Sequence, residues 1–495
     1  MGTGKLLREP PPEPGFKCPV SSTDFRFSSF EFRSFGRVAA LGLVLGYTAF
    51  QWGGVLRSNQ YVVLLAVGAL AILLNLRHRR EEAPPAGRAV GWAVVLLGYV
   101  LLQAIPLPVG VLRVLSPGRA PSVDALERIG AKLRFASLSA SPTATFQSFL
   151  LVCGYLLVFL LVRALGRRLW DRRWLAVWPI VAIAALEGGL GLWQNFGRTG
   201  EAAQWGTYVN HNHYSGFLEM ALPFAVMYPV ALLGRARRRG KASLAPSLAA
   251  CGVFGLAALI VAGIIHSFSR MGFIAMLFSI LVMAALAFVS SPVSWFRRSR
   301  KRRWGAAGLL AVALLAGVAF LPSERLILRF AELTSSDPTA GGRAKLWAAT
   351  IPLIKAYPVF GCGLGGYETV FLKFKTFDPL VRDDFAHNDY LQLLAELGLV
   401  GFAMLAVAAC SLVRSTLHQA VASQDPEERY FAVACAGALA AILLHSLADF
   451  NLYIPANAML LAWIAGMSPQ ARPAPAILNR WEQLASGPAQ GLRAA

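Results

Sequence analysis

Long apolar runs alternate with short polar or basic segments along almost the whole chain. Each run is about 20 residues long, the length a helix needs to cross roughly 30 Å of hydrocarbon. The pattern predicts twelve membrane-spanning helices, at 37–55, 59–76, 89–106, 147–166, 174–193, 215–234, 247–266, 271–290, 305–321, 392–412, 430–447 and 453–468. A helix satisfies its own backbone hydrogen bonds inside a bilayer. The predicted fold class is therefore an all-α polytopic membrane protein.

One long segment interrupts this pattern. Residues 322–391 hold eight Lys or Arg and eight Asp or Glu residues, with helical stretches such as AKLWAATIPLIKAY. A loop of this length in a compact protein is usually functional or disordered, and this one is not of low complexity. The chain thus divides into an N-terminal tail (1–36), helices one to nine (37–321), a large loop containing short helices (322–391), helices ten to twelve (392–468) and a C-terminal tail (469–495).

The basic residues predict the orientation in the membrane. The net charge is +21, and Arg and Lys cluster in the short segments after helices two, four, six and eight. Short basic loops stay on the cytoplasmic side, so both tails are predicted to be cytoplasmic and the large loop to lie outside. This pattern accounts for the positive charge, so we expect membrane lipid, and no nucleic acid, as a partner.

The stretch DDFAHNDYLQLLAELGLVG places a histidine, His387, at the outer start of a spanning helix. Imidazole is the side chain best suited to accept a proton near neutral pH. Tyr390 would share its face if the helix began that early, and Asp383, Asp384 and Asp389 are close enough in sequence to raise its basicity or fix its tautomer. A capping or solvated histidine is the structural alternative.

Two arginines lie away from the cytoplasmic clusters. Arg270, in HSFSRMGF, lies between two long apolar runs on the outer side, where an arginine is costly unless it is paired. Arg343, in TAGGRAKLW, precedes an amphipathic helix predicted to begin near Ala344. An arginine beside a helix N-terminus can hold an anion. A snorkelling Arg270 and an ordinary exposed Arg343 are the alternatives.

Other motifs predict neither a metal site nor a disulfide framework. His211 and His213 are two residues apart but lack any recognised zinc-ligand spacing, and the six cysteines show no paired spacing. The stretch GCGLGG at 361–366 matches a dinucleotide-binding pattern formally, but no βαβ unit surrounds it. We therefore predict a turn between two loop helices there, and no cofactor.

Five separated stretches carry a family resemblance. They are AHNDYLQLLAELGLVG, SFSRMGFIAM, GRAKLWAATIPLIKAYPVFGCGLGGYETVF, GTYVNHNHYSGFLEMALP and LHSLADFNLYIPANA. Together they resemble the motifs of the O-antigen ligase/polymerase superfamily, which comprises bacterial envelope glycosyltransferases. The resemblance covers roughly residues 90–468.

The resemblance implies a GT-C-like membrane fold and a metal-independent, inverting glycosyltransferase. Its donor would be a glycan on undecaprenyl diphosphate. Arg270 and Arg343 match the arginines that would hold the diphosphate, and His387 matches the histidine that would activate the acceptor hydroxyl. Supporting residues in the matched motifs are Asn210, Asn212, Asp389, Tyr390 and Glu396.

The acceptor remains open at this stage. An O-antigen ligase would use lipid A-core in lipopolysaccharide biosynthesis, and a polymerase would use another lipid-linked repeat, as in O-antigen or exopolysaccharide synthesis. A protein O-oligosaccharyltransferase would use Ser or Thr. A polysaccharide transporter or flippase is less favoured, because it would place ionisable residues or broken helices at mid-membrane. The expected location is the bacterial inner membrane, with the active site facing the periplasm.

Overall fold

The computed structural model describes residues 29–76, 88–196, 204–240, 244–290, 338–378 and 381–468. Its helices are α1 (Ser29–Phe50), α2 (Arg57–Leu76), α3 (Arg88–Ala104), α4 (Val109–Leu115), α5 (Ala120–Arg128), α6 (Pro142–Arg168), α7 (Trp178–Asn195), α8 (His211–Arg238), α9 (Leu244–His266), α10 (Arg270–Val289), α11 (Pro338–Ala356), α12 (Tyr367–Phe371), α13 (Asp389–Ala422), α14 (Pro426–His445) and α15 (Pro455–Met467). Two three-residue strands, β1 (Pro106–Pro108) and β2 (Phe135–Ser137), pair antiparallel with Leu107 opposite Ala136.

The all-α polytopic fold class is confirmed. Among the described residues, eight helices are long and apolar enough to cross a membrane, and three shorter apolar helices accompany them at Ser34–Phe50, Gly91–Ala104 and Pro455–Met467. Each coincides with one of the predicted spans. The remaining predicted span, 305–321, lies outside the described residues, as do residues 322–337 at the start of the large loop.

Some helix boundaries differ from the prediction for local reasons. α1 ends at Phe50 rather than near residue 55, because Trp52, Gly53 and Gly54 all have positive φ angles and turn the chain. α13 begins at Asp389 rather than 392, because the Asn388 side chain accepts a 3.0 Å hydrogen bond from the Leu391 amide and caps the helix. Side-chain caps of this kind fix where a helix starts.

The centre of the bundle is formed by α8 and α14, which are buried on nearly all sides. Phe217, Met220 and Phe224 of α8 are fully buried, as are Ala434 and Ala438 of α14. A helix that is apolar all round belongs in a core, and the small alanines let the two helices approach closely. The ends of these two helices are therefore rigid supports for any polar site built there.

A second, smaller apolar core lies outside the candidate spans. Leu353, Tyr357, Tyr367 and Phe371, from α11, α12 and the segment between them, pack together in it. The segment containing β1, α4, α5 and β2 packs against this core, and the Ala140 amide donates a 2.8 Å bond to the Cys362 carbonyl. The pieces that form this core are far apart in the chain, so local sequence patterns do not indicate it.

The stretch GCGLGG forms the turn between α11 and α12, as predicted. Gly361, Gly363 and Gly365 have positive φ angles, which glycine adopts without steric cost. The Glu396 carboxylate accepts from the amides of Gly365 (2.9 Å) and Tyr367 (3.2 Å). The turn is thereby joined to the first part of α13.

Replacing Gly361 by Ala should destabilise the protein strongly. A side chain at its φ of +71° costs about 1–3 kcal/mol, and the added Cβ would lie 2.2 Å from the Glu396 carbonyl oxygen. We expect a lower unfolding temperature in detergent. The control is Gly255→Ala in α9, where an added Cβ meets nothing within 4 Å. Equal unfolding temperatures for Gly361→Ala and wild type would contradict the observed packing of this turn.

Candidate active site

His387 lies directly before α13, in a strained backbone conformation. Its φ is +49°, which is unusual for a residue with a side chain and persists only where the surroundings hold it. The preceding residue is held by two bonds: the Ala386 amide donates to Gln392 Oε1 (2.9 Å), and the Ala386 carbonyl accepts from Trp347 Nε1 (2.9 Å). One third (33%) of the His387 side chain is exposed, so a positioned imidazole remains accessible.

A buried carboxylate, Asp449, faces His387. Its Oδ1 lies 3.2 Å from His387 Nδ1 and 3.6 Å from His213 Nε2, while its Oδ2 lies 3.8 Å from Arg343 Nη2. Burial acts to raise the pKa of Asp449, but the hydrogen bonds and charges of His213 and His387 outweigh it and hold this pKa well below its usual range. Asp449 is therefore ionised at neutral pH.

The aspartates nearest His387 in sequence bind elsewhere. Asp383 pairs with Lys375 (2.5 Å), and Asp384 pairs with Arg382 (3.2 Å). Asp389 accepts from the Ser446 hydroxyl at 2.7 Å and faces the amide of Leu452. The expectation that one of these three acids tunes the imidazole is corrected. Asp449, 62 residues further along the chain, occupies that place.

Arg343 reaches the same carboxylate from α11. The helix begins at Pro338 rather than near Ala344, so Arg343 lies in its second turn and the predicted helix N-terminus does not sit beside it. One turn later, Trp347 binds the Ala386 carbonyl. This contact fixes α11 against the His387 segment and aims the guanidinium at Asp449.

Arg270 is the first residue of α10 and is half-buried. The preceding Ser269 caps this helix by accepting from the Gly272 amide (3.0 Å), and its hydroxyl donates to Asn212 Oδ1 (2.7 Å). Asn212 lies next to His213 in the first turn of α8, which Asn210 caps in turn. These contacts join the start of α10, with Arg270, to the helix that carries His213.

Tyr390 and Glu396, which were also predicted as supporting residues, connect structural elements around the site. The Tyr390 hydroxyl donates to the Leu443 carbonyl (2.6 Å), which ties α13 to α14. Glu396 is buried, accepts from Tyr453 Oη (2.8 Å) and anchors the glycine-rich turn. In the described part of the chain, no three His, Cys, Asp or Glu side chains come together as metal ligands.

Sequence reasoning missed a buried pair next to the site. His445 Nδ1 lies 3.0 Å from Glu219 Oε1, and both side chains are fully buried. His445 ends α14 and directly precedes Ser446, which binds Asp389. A single acid within the apolar 215–234 run was a usable signal, because an ionisable residue inside a span is a functional candidate by default.

An apolar groove descends from the site between α10, α13 and α14. It has a volume of about 350 Å³, and Phe278, Val282, Tyr390 and Leu443 are among the residues that line it. The hydroxyls of Tyr390 and Thr416 in its wall both donate to backbone carbonyls. The groove therefore presents hydrocarbon to an occupant, and its upper end at Tyr390 adjoins the histidine site.

Fold and site together define a polytopic helical membrane protein with a histidine–carboxylate–arginine centre at one end of its bundle. The family model described as O-antigen ligase matches residues 255–406, which include Arg270, Arg343 and His387. The match confirms the resemblance to the O-antigen ligase/polymerase superfamily and indicates glycan transfer of the ligase or polymerase type. Comparison with curated proteins gives no match.

Proposed function

We propose that the protein is an inner-membrane glycosyltransferase that moves a glycan from undecaprenyl diphosphate to an acceptor hydroxyl at the periplasmic face. It would act as an O-antigen ligase on lipid A-core or as a repeat-unit polymerase. The observation that carries the proposal is the convergence of His387 and Arg343 on the ionised Asp449. These groups stand at the end of a membrane bundle and above an apolar groove.

The contact between His387 and Asp449 suits a general base. Because Asp449 is an ionised acceptor, His387 Nδ1 carries the hydrogen, and Nε2 is left with its lone pair. Nε2 takes the proton of the acceptor hydroxyl while the oxygen attacks the anomeric carbon. Asp449 then stabilises the imidazolium that forms, as a buried carboxylate does in hydrolytic triads.

The guanidinium groups of the two arginines are suited to stabilise the diphosphate leaving group. As the bond between the anomeric carbon and the diphosphate oxygen breaks, its electron pair passes to the diphosphate. Guanidiniums form planar, bidentate contacts with phosphate oxygens and stabilise such developing charge without a metal. We assign this part to Arg343 and Arg270. Attack from the face opposite the diphosphate inverts the anomeric configuration.

The apolar groove supports a lipid-linked donor. A polyprenyl chain is hydrocarbon and would lie in the groove between α10 and α14, while its diphosphate reaches the level of Tyr390 and His387. A transporter is less favoured, because Asp449, His213, Arg343 and the Glu219–His445 pair all gather at one end of the bundle. Transfer to protein Ser or Thr remains the alternative within the same chemistry.

The site should face the periplasm. We expect a cysteine at exposed Lys373, after α12, to react with a membrane-impermeant maleimide in cells whose outer membrane has been permeabilised. A cysteine at exposed Arg239, at the opposite end of α8, should react only after lysis. Both variants are made in a background without the native cysteines. The reverse labelling pattern would invert the orientation and remove the periplasmic assignment.

Purified protein should transfer glycan from a defined undecaprenyl-diphosphate donor, with lipid A-core, a lipid-linked repeat and a Ser/Thr peptide tested separately as acceptors. Replacing Arg270 or Arg343 by Ala should slow transfer about ten- to a hundredfold, because a charge-assisted hydrogen bond contributes about 1.5–3 kcal/mol. Lys should not restore the rate, because it lacks the planar fork.

Arg113→Ala is the matched control for the arginine variants. Arg113 forms exposed ion pairs with Asp124 (2.7 Å) and Glu127 (3.2 Å) in the α4–α5 segment, and its loss should leave transfer unchanged. A folded Arg343→Ala protein with the wild-type rate would remove the diphosphate assignment. Wild-type protein that transfers glycan to none of the three acceptors would refute the proposed function.

A further inference from the structure

Two imidazoles converge on one oxygen of Asp449. His387 Nδ1 lies 3.2 Å from Oδ1, and His213 Nε2 lies 3.6 Å from the same atom. Both imidazole rings pack nearly perpendicular to the ring of Phe450, with centroid distances of 4.8 Å for His387 and 4.5 Å for His213. The proposed mechanism uses His387 and Asp449 but gives no part to His213.

His213 is built into the site on its own supports. Its side chain is only 7% exposed, and its backbone carbonyl accepts a 2.9 Å bond from Asn457 Nδ2. Asn457 also donates to Asn451 Oδ1 (2.8 Å), close in sequence to Asp449. The backbone at His213 is thus fixed independently of its ring, so the ring can be exchanged while this anchor remains.

We propose that His213 is a positioning residue that sets the basicity of the base: its Nε2 faces, at 3.6 Å, the same Asp449 oxygen that His387 Nδ1 contacts, and its attraction for that oxygen keeps His387 unprotonated at working pH. The inference rests on the proposed role of His387. A carboxylate that also faces a second N–H group attracts the positive charge of an imidazolium less strongly, so it stabilises that imidazolium less. A base that is already protonated cannot accept the proton of a hydroxyl.

His213 lowers the proton affinity of His387 whether His213 itself is neutral or protonated. A neutral His213 turns its Nε2–H dipole toward Asp449 across 3.6 Å, a distance longer than a hydrogen bond, and a charged His213 also repels a proton on His387. Removing the ring therefore raises the proton affinity of His387 in both cases. The other charged or titratable groups that act on this centre from the helices packed around it are Arg343, Asp389, His445 and Glu219, and none of them changes in the experiment.

The test measures the protonation of His387 directly, without donor or acceptor. Diethyl pyrocarbonate acylates only unprotonated imidazole, and peptide mass spectrometry reads the reaction at His387 against pH in the intact, detergent-solubilised protein. His213→Leu fills the space without a donor, and we expect it to raise the pH midpoint by about 0.5–1 unit. His213→Gln supplies an N–H that does not titrate and should restore the midpoint most of the way.

Two further variants serve as controls for the pH midpoint of His387. Asp449→Asn removes the carboxylate and should lower the midpoint below that of wild type. His211→Leu removes the nearby ring that packs on Trp205 and should leave the midpoint unchanged. An unchanged midpoint in folded His213→Leu would overturn the inference. So would a His213→Gln midpoint displaced as far as that of His213→Leu, because the donor would then not be the cause.

Transfer assays separate this inference from the proposed function. If both hold, the acid limb of the rate profile of His213→Leu moves to higher pH by the same amount, while the rate at high pH stays near that of wild type. A merely structural role for His213 would lower the rate equally at all pH values, and that result would overturn the inference. If the midpoints shift as expected but wild-type protein transfers no glycan, the proposed function fails and the positioning role stands.

Discussion

Replacing His387 by Ala is expected to reduce glycan transfer by about 10²–10⁴-fold, the range for a positioned general base. Donor binding should change little, because the proposed diphosphate contacts come from Arg343 and Arg270. The measurements are single-turnover transfer from a lipid-linked donor and separate equilibrium binding of that donor. Wild-type activity should also fall as pH drops through the titration of the imidazole, since only the neutral ring accepts a proton.

His387→Asn is the matched partner for this experiment. The positive φ of +49° at this position is better tolerated by Asn than by Ala, so a shared rate loss in both variants reports the lost imidazole rather than backbone strain. A chelator should not alter wild-type transfer, because no metal is proposed. A loss of donor binding equal to the loss of rate would make His387 a binding residue and leave the base unassigned.

The spanning helices were predictable because membrane burial imposes a simple pattern. A run of about 20 apolar residues has few alternatives in a bilayer, and helices as different as α2 and α14 follow it. Their ends were less predictable. The start of α13 depends on the Asn388 cap, and the end of α1 depends on a turn with positive φ angles. Local side-chain chemistry decides such boundaries, and hydropathy does not register it.

The sequence singles out candidate site residues but does not show which of them come into contact. His387, Arg270 and Arg343 stand out as polar residues in apolar or glycine-rich surroundings. The contacts of Asp449 with His213 and His387 join α8, the segment before α13 and the loop after α14. Sequence spacing suggested Asp383, Asp384 and Asp389 instead, because spacing reports only local neighbours. The fold brings together residues that are far apart in the chain, and Glu219 with His445 illustrates this again.

The shared carboxylate also shows why this end of the bundle tolerates buried charge. An ionised aspartate with 1% side-chain exposure would be costly alone. Here two imidazoles and a guanidinium face its two oxygens, and the Phe450 amide donates a 2.9 Å bond to Oδ1. The same arrangement makes Asp449 the point through which His387, His213 and Arg343 act on one another. Its removal should therefore have effects beyond the loss of one hydrogen bond.

Asp449→Asn is expected to slow transfer about as much as loss of the base, by roughly 10²–10⁴-fold. The amide keeps the size of the side chain but carries no charge, so it stabilises the imidazolium poorly. Its N–H group can also hold His387 in the wrong tautomer. The carboxylate of a hydrolytic triad is important for the same two reasons. Single-turnover rates across pH are the measurement, with Asp383→Asn as the control, because Asp383 pairs with Lys375 instead. If Asp449 only held the fold together, Asp449→Asn would lower the unfolding temperature and expression while each folded molecule kept its wild-type rate. A normal rate per folded molecule would therefore remove Asp449 from the mechanism.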